Sequence, residues 1–185
     1  MIPDLVVLFE RSGRCRDAFR QLGVNALSVD LQPTMSPGPH LQCDWRNAPR
    51  APNIIAFPPC RFLTAAGAYL WPVRLVEQAA AVDLVRCLWA LPAKTFALEN
   101  PRGALSRLFS PPTQECSPEW WGGRKKRTCL WLRSLPPLTP SAEFLFFRQA
   151  GARWIDRLGS SDPRREILEP ELAAAMAAQW TPFLQ

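Results

Sequence analysis

A short apolar segment that ends in two prolines and a cysteine, residues 53–60 (NIIAFPPC), constrains the fold of this chain more than any other feature. The segment predicts a buried strand. The strand must stop at Pro58, because neither proline can donate a backbone hydrogen bond. In an open α/β sheet, ligands bind at the carboxyl ends of the strands. We therefore expect Cys60 on a rigid turn at the mouth of a cleft, either as a nucleophile or as an ordinary buried cysteine.

Apolar runs and helical patterns alternate along the chain, which predicts an α/β fold. Further strands are expected at residues 5–9, 24–29, 94–98, 128–132 and 143–147. Helices are expected at residues 15–22, 73–90 and 169–180, and irregular connections at residues 31–52, 61–71, 106–123 and 151–165. The strands lack alternation, as is typical of a sheet that helices cover on both faces. We predict one domain over residues 1–185, with a mostly parallel sheet of about six or seven strands and an antiparallel strand near the C-terminus.

Composition narrows the class of protein. No apolar run is long enough to span a bilayer, and the N-terminus lacks a basic leader with a cleavage site, so no membrane association is expected. The six cysteines are scattered without a CxxC pair, which indicates a reduced, cytoplasmic protein. With a single histidine, His40, we expect no metal site. The net charge of +6 is compatible with a nucleic-acid partner.

The first predicted strand, helix and second strand form a unit that binds nucleotides in many α/β proteins. A polar turn with Gly13 precedes the helix, whose backbone amides could meet a polar ligand. Asp30 closes the second strand, where a carboxylate could bind ribose hydroxyls. An ordinary βαβ unit without a ligand is the alternative. Farther along, Asp44 stands beside Trp45, a pair that could hold a purine, although Asp44 could equally be a turn residue.

A second strand end carries polar groups that could serve catalysis. Glu99-Asn100-Pro101 interrupts the strand expected at residues 94–98. If this strand and that of residues 53–60 are parallel neighbours, Glu99 and Cys60 lie at the same edge of the sheet. A carboxyl group in a partly desolvated cleft has a raised pKa and can act as an acid. A helix N-terminal or solvated Glu99 is the alternative.

A basic run at residues 124–127 leads directly into the strand expected at residues 128–132. Charge runs are usually solvated faces of a protein. The cations of this run could instead contact phosphate or an oxygen of a base, because the strand places them near the other motifs.

Taken in order, these motifs resemble those of the cytosine-C5 methyltransferase family, and in particular its short phage and prophage members. Residues 9–19 are similar to the family's first motif, and Pro58-Pro59-Cys60 is similar to its proline–cysteine motif. Glu99-Asn100 is similar to the glutamate–asparagine motif. Residues 126–132 and 169–173 resemble a segment of the phage group and the last motif of the family.

The resemblance implies a Rossmann-like, S-adenosylmethionine-dependent methyltransferase that acts on C5 of cytosine. It implies that Cys60 adds to C6 of the base, that Glu99 holds and protonates N3, and that Asn100 orders the loop with Cys60. Arg127 or Lys126 would hold O2 of the base. The cofactor would contact Phe9, Ser12, Gly13, Asp30 (through its ribose), Asp44 (through its adenine) and Pro58. Nucleic acid would contact Arg124, Lys125 and Lys126.

The chain also departs from the family pattern. Arg11 and Arg14 stand where many members have glycine, and Pro101 stands where valine is common. The stretch between residues 130 and 169 is too short for a target recognition domain. Without such a domain, the chain has few residues with which to recognise bases in the major groove. We expect little sequence specificity, and a substrate that is duplex DNA with a flipped target base, single-stranded DNA or a free pyrimidine nucleotide. A second chain that supplies recognition, and a non-catalytic nucleic-acid-binding domain of the same fold, are the alternatives.

Overall fold

Seven strands form one sheet in the computed structural model, which describes residues 2–149 and 168–184. The strands are β1 (Leu5–Leu8), β2 (Ala26–Asp30), β3 (His40–Gln42), β4 (Asn53–Ala56), β5 (Thr95–Pro101), β6 (Gln114–Cys116) and β7 (Thr128–Arg133). Their order across the sheet is β3-β2-β1-β4-β5-β7-β6. The strands β1 to β5 are parallel, whereas β7 pairs antiparallel with both β5 and β6. The predicted α/β class and mostly parallel sheet are confirmed, and the topology is compatible with a Rossmann-like fold.

Helices cover both faces of the sheet. The helices are α1 (Arg14–Gln21), α2 (Leu75–Trp89), α3 (Leu105–Leu108), α4 (Ala142–Gln149) and α5 (Pro170–Trp180). Buried residues of α1 and α5 pack on one face, and those of α2 and α3 pack on the other. All residues of β1 and β4 are buried, which explains why their sequences lack alternation. In the described ranges, no helix combines the length and the apolar character needed to cross a membrane.

The segment predicted as a strand at residues 143–147 is part of the helix α4, so this prediction is wrong. The Ser141 hydroxyl accepts a hydrogen bond from the backbone N–H of Phe144 (3.1 Å), as an N-terminal cap does. Phe144 is buried, whereas Leu145 and Phe146 are exposed. A short apolar run fits a strand or a helix equally well, and here the capping serine begins a helix.

The strand β5 is longer than expected. Glu99-Asn100-Pro101 does not interrupt it, because all three residues pair with the antiparallel strand β7. Pro101 is the last residue of β5, where a missing backbone donor costs least. Glu99 and Asn100 therefore lie on a rigid strand between two neighbours, and not on a loop.

Several connections contain short ordered elements that the sequence did not signal. The three-residue strands β3 and β6 fall inside segments expected to be irregular, and their polar composition gives no strand pattern. The segment expected as a mobile loop after Cys60 contains a 3₁₀ helix, Ala65–Val73, which Thr64 caps. The loop predicted at residues 151–165 lies outside the described residues.

A buried asparagine joins three parts of the fold at the amino end of the sheet. The side-chain amide of Asn53 donates to the carbonyl oxygens of Asp4 and Leu184, both at 2.8 Å. Its carbonyl oxygen accepts a hydrogen bond from the Thr95 hydroxyl, also at 2.8 Å. The Asn53 side chain thus connects the starts of β1, β4 and β5 to the C-terminal residues.

We expect the substitution Asn53→Ala to lower the free energy of unfolding by about 3 kcal/mol, since it leaves several buried polar groups without a partner. Urea denaturation measures this loss. The control is Asn25→Ala, which removes a 3.3 Å hydrogen bond to Ile2 at an exposed site and should cost less than about 1 kcal/mol. Equal losses in the two variants would contradict a special role for Asn53.

Candidate functional site

The residues singled out from the sequence gather at the carboxyl edge of the parallel strands. Asp30 ends β2, Asp44 follows β3, Cys60 follows β4, and Glu99 and Asn100 lie in the last part of β5. The helix after β1 covers one face of the sheet, and the helix after β4, the neighbour of β1, covers the other. Ligands bind in open α/β sheets at this kind of topological switch point.

The turn that carries Cys60 is held by the next strand. The buried side-chain amide of Asn100 donates a hydrogen bond to the Pro58 carbonyl oxygen at 3.0 Å. The backbone N–H groups of Leu63 and Thr64 both donate to the Cys60 carbonyl oxygen at 2.9 Å. Cys60 itself is partly exposed. The contact predicted between Asn100 and the loop that carries Cys60 is therefore present, and it fixes that loop relative to β5.

The Glu99 carboxyl group is held from the antiparallel strand β7. The Thr128 hydroxyl donates a hydrogen bond to Glu99 Oε1, and it also lies 3.2 Å from the Asn100 carbonyl oxygen. A hydroxyl group has one proton and can donate to only one of these oxygens at a time. When Glu99 is protonated, its proton can be donated to Thr128 Oγ1, and the Thr128 proton is then available to the Asn100 carbonyl. The arrangement accommodates a protonated Glu99.

The environment of Glu99 favours that protonated form. Burial raises the pKa of Glu99 above its ordinary value, and the Thr128 hydroxyl and the positive charge of Lys126 oppose the shift only in part. A carboxyl group with a raised pKa keeps its proton closer to neutral pH. Such a group can donate the proton to a ring nitrogen of a bound base.

The four residues of the basic run have different environments. The Arg124 guanidinium is largely buried and donates to Glu169 at the start of α5, with an Nε to Oε1 distance of 2.7 Å. Lys126 is partly buried, and its charge acts on Glu99. Lys125 and Arg127 are exposed. The structure therefore brings Lys126 to Glu99, whereas Arg124 forms a structural ion pair with the last helix.

The turn before α1 requires glycine at position 13. Gly13 adopts a φ of 80°, and a Cβ atom there would overlap with the Ser36 hydroxyl. Arg14 reaches away from the turn, because its guanidinium donates to the Leu168 carbonyl oxygen at 2.7 Å. Arg11 is exposed, and its carbonyl oxygen accepts from the Met35 backbone N–H at 2.7 Å. The side chains of Arg11 and Arg14 thus do not fill the turn itself.

A buried carboxylate occupies the inner side of this turn. Glu10 is 3% exposed, and the Ser12 hydroxyl donates to its Oε1 atom. Burial raises the pKa of Glu10. Hydrogen bonds from Ser12 and from the backbone amides of Gly13 and Arg16, together with the positive charge of the Arg16 guanidinium, partly oppose this shift. The Oε2 atom is buried and has no hydrogen-bond partner among the described residues. An unsatisfied buried acceptor at a strand end is suited to a ligand that carries a cationic donor.

Three further residues predicted to contact the cofactor have local roles in the structure. Phe9 directly precedes Glu10, with a left-handed φ of 59°, and packs on the core. Asp30 accepts a hydrogen bond from the Gln32 backbone N–H at 2.8 Å. Asp44 caps a 3₁₀ turn and pairs with Arg46 at 3.0 Å, so the turn role considered for Asp44 is observed.

Two residues of the site, Glu10 and Thr128, were not identified from the sequence. Glu10 lies in a segment whose predicted function rested on Gly13, and Thr128 lies between a basic run and an apolar strand. The position of Glu10 shortly before Gly13 was an available signal, whereas no signal in the sequence pointed to Thr128. Only the pairing of β5 with β7 shows that Thr128 reaches Glu99.

No model of a known protein family matches this chain, and no curated protein matches it in sequence. A function must therefore be inferred from the side chains at the carboxyl edge of the sheet. These side chains form two groups: a thiol and a carboxyl group of raised pKa that follow or end two neighbouring parallel strands, and a buried carboxyl group beside a glycine turn.

We expect the substitution Thr128→Val to make the stability depend more steeply on pH. In the wild type, the Thr128 hydroxyl lowers the Glu99 pKa. Without this hydroxyl, the Glu99 pKa of the variant lies even farther above the unperturbed value of 4.5. The folded state then keeps this proton to a higher pH than the unfolded state does, and stability falls as the pH rises through that interval. The free energy of unfolding of T128V relative to the wild type should therefore decrease as the pH rises from the Glu99 pKa of the folded wild type to the higher Glu99 pKa of the folded variant, as measured in urea.

The control Thr128→Ser keeps the hydroxyl and should follow the wild type in this titration. A difference between T128V and the wild type that does not change with pH would show that the hydroxyl has no influence on the ionisation of Glu99.

Proposed function

We propose that this chain is an S-adenosylmethionine-dependent methyltransferase that acts on C5 of cytosine in DNA. The observation that carries the proposal is the hydrogen bond from Asn100 to Pro58. It joins the turn that carries Cys60 to the strand that carries Glu99, a carboxyl group of raised pKa. A binding module has no need to tie the turn of a partly exposed thiol to the strand that carries such an acid.

The residue types suit the reaction. The Cys60 thiolate adds to C6 of cytosine, and the electrons of the C5–C6 double bond then make C5 nucleophilic. Glu99 donates its proton to N3, which prevents negative charge from building up on the ring. After C5 has been methylated, N3 returns its proton to Glu99. Loss of the C5 proton to solvent then re-forms the C5–C6 double bond and releases the Cys60 thiolate. When bound, S-adenosylmethionine supplies the electrophilic methyl group.

The residues around the glycine turn fit this cofactor. The buried Glu10 Oε2 atom lacks a partner among the described residues. It would accept a hydrogen bond from the ammonium group in the methionine part of the cofactor. Glu10 also occupies the inner side of the turn before α1, where dinucleotide-binding folds place a phosphate. A cofactor without phosphate is compatible with that arrangement. Asp30 would hold ribose hydroxyls, and Asp44 would lie near the adenine.

Lys126 is a better candidate than Arg127 to contact O2 of the base. Its positive charge acts on Glu99, and its backbone N–H is fixed to the Ser117 hydroxyl at 3.1 Å. Arg127 is exposed. Together with Lys125, Arg127 would contact phosphate, and these exposed cations favour DNA over a free pyrimidine nucleotide as the substrate.

The first test is mass spectrometry of nucleosides after incubation with S-adenosylmethionine and duplex DNA, single-stranded DNA or dCMP. We expect cytosine to gain the mass of one methyl group and the product to be absent with Cys60→Ser, because serine cannot replace the thiolate. The matched control is Cys87→Ser, which alters an exposed cysteine on α2 and should keep full activity.

In the same assay, Lys126→Met should lower the rate by about tenfold or more, and Arg127→Met should lower it less. Product formed equally well by the Cys60→Ser variant would disprove covalent catalysis. Absence of product on all three substrates would reject the enzyme and favour a nucleic-acid-binding domain.

A separate prediction concerns the cofactor. Glu10→Gln removes a buried negative charge but keeps an oxygen acceptor for the backbone amides, so the fold should persist. We expect S-adenosylmethionine to bind about tenfold more weakly, as a charged hydrogen bond is lost. Isothermal titration calorimetry measures this affinity. The control is Glu143→Gln on the exposed side of α4, and equal affinities of the two variants would exclude Glu10 from the cofactor site.

A further inference from the structure

A cavity of about 350 Å³ lies beside the turn that carries Cys60. Its lining comes from the 3₁₀ helix after that turn and from the segment that follows β5. The residues that matter for its chemistry are Trp71, Arg102, Ser106, Arg107 and Glu115. None of them was assigned to the methyl-transfer site.

The floor of the cavity is built on the same turn as Cys60. Thr64 and Gly103 form an isolated antiparallel bridge, and the Ala65 backbone N–H donates to the Arg102 carbonyl oxygen at 2.9 Å. Thr64 in turn donates its backbone N–H to the Cys60 carbonyl oxygen. A Cβ atom on Gly103 would overlap with the Leu63 carbonyl oxygen, so only glycine permits this close approach. These contacts fix the position of the cavity relative to Cys60.

The polar groups of the cavity are mostly hydrogen-bond donors. The guanidinium groups of Arg102 and Arg107 and the Ser106 hydroxyl are donors. Glu115 provides one carboxylate, and its Oε1 atom lies 3.7 Å from Arg102 Nε. The surplus of donors and positive charge selects a ligand that carries negative charge and acceptor oxygens.

We propose that this cavity binds the nucleotide next to the reacting cytosine in a single strand of DNA. The inference rests on the proposed function, because it treats the Cys60 turn as the position of the target base. The phosphate lies against Arg102 and Arg107, and the neighbouring base stacks on the Trp71 indole, as bases stack on aromatic residues of single-strand-binding proteins. The volume is at the lower end for ligand pockets and admits one nucleotide, not a base pair. A free nucleotide at Cys60 leaves this cavity unused, so the substrate is a strand.

The test is fluorescence anisotropy of a labelled single-stranded DNA of about ten nucleotides. Arg107 is exposed, so Arg107→Ala should leave the fold intact. We expect this variant to bind the strand about tenfold more weakly, with a salt dependence reduced by about one phosphate contact. The matched control is Arg50→Ala, which removes the same charge just before β4 at the opposite edge of the sheet and should bind like the wild type.

Equal losses in the two arginine variants would overturn the proposal, as would tighter binding of duplex DNA or of RNA of the same sequence. The binding assay needs no turnover, so it decides the proposal even if the chain transfers no methyl group. Where methyl transfer occurs, Arg107→Ala should lower kcat/KM for the strand and leave that for dCMP unchanged. Equal reductions for both substrates would also contradict a site for the neighbouring nucleotide.

Discussion

The two consecutive prolines after β4 impose the constraint on which the site depends. Neither Pro58 nor Pro59 has a backbone donor, so this turn can be tied down only through its carbonyl oxygens and its flanking residues. Asn100 donates to the Pro58 carbonyl oxygen, and the Phe57 N–H donates to the Leu8 carbonyl oxygen. The turn is thereby fixed to both neighbouring strands. A thiol held in this way keeps its position relative to the acid on β5 without a dedicated loop.

The antiparallel pairing of β7 with β5 supplies the second half of the site. It places the Thr128 hydroxyl on Glu99 and brings the charge of Lys126 close enough to act on the same carboxyl group. Burial and these two partners have opposite effects on the Glu99 pKa, and burial has the larger effect. The result is a carboxyl group of raised pKa on the strand next to the turn that carries Cys60. If the sheet were all parallel and ended at β5, Glu99 would lack both the Thr128 hydroxyl and the nearby charge of Lys126.

Much of the fold could be predicted from periodicity and strand-ending residues, because buried parallel strands and amphipathic helices leave local patterns. The errors occurred where local patterns are ambiguous or weak. The apolar residues of α4 fit two structures equally well, and the polar residues of β3 and β6 carry no strand signal. In the site, Cys60, Glu99 and Asn100 were recognisable from their positions after apolar strands. Glu10 and Thr128 were not, because their roles depend on neighbours that other strands provide.

The sequence by itself determined where the strands end and which side chains stand at those ends, since proline, glycine and runs of β-branched residues act through the local backbone. It also placed the thiol, the carboxyl group and the amide at or just after the ends of two apolar segments. Only the tertiary structure decided that Asn100 reaches Pro58, that Lys126 and not Arg127 acts on Glu99, and that Arg124 pairs with α5. These contacts join residues far apart in the chain, and burial, which sets the protonation of Glu10 and Glu99, is a property of the packed molecule and not of any segment.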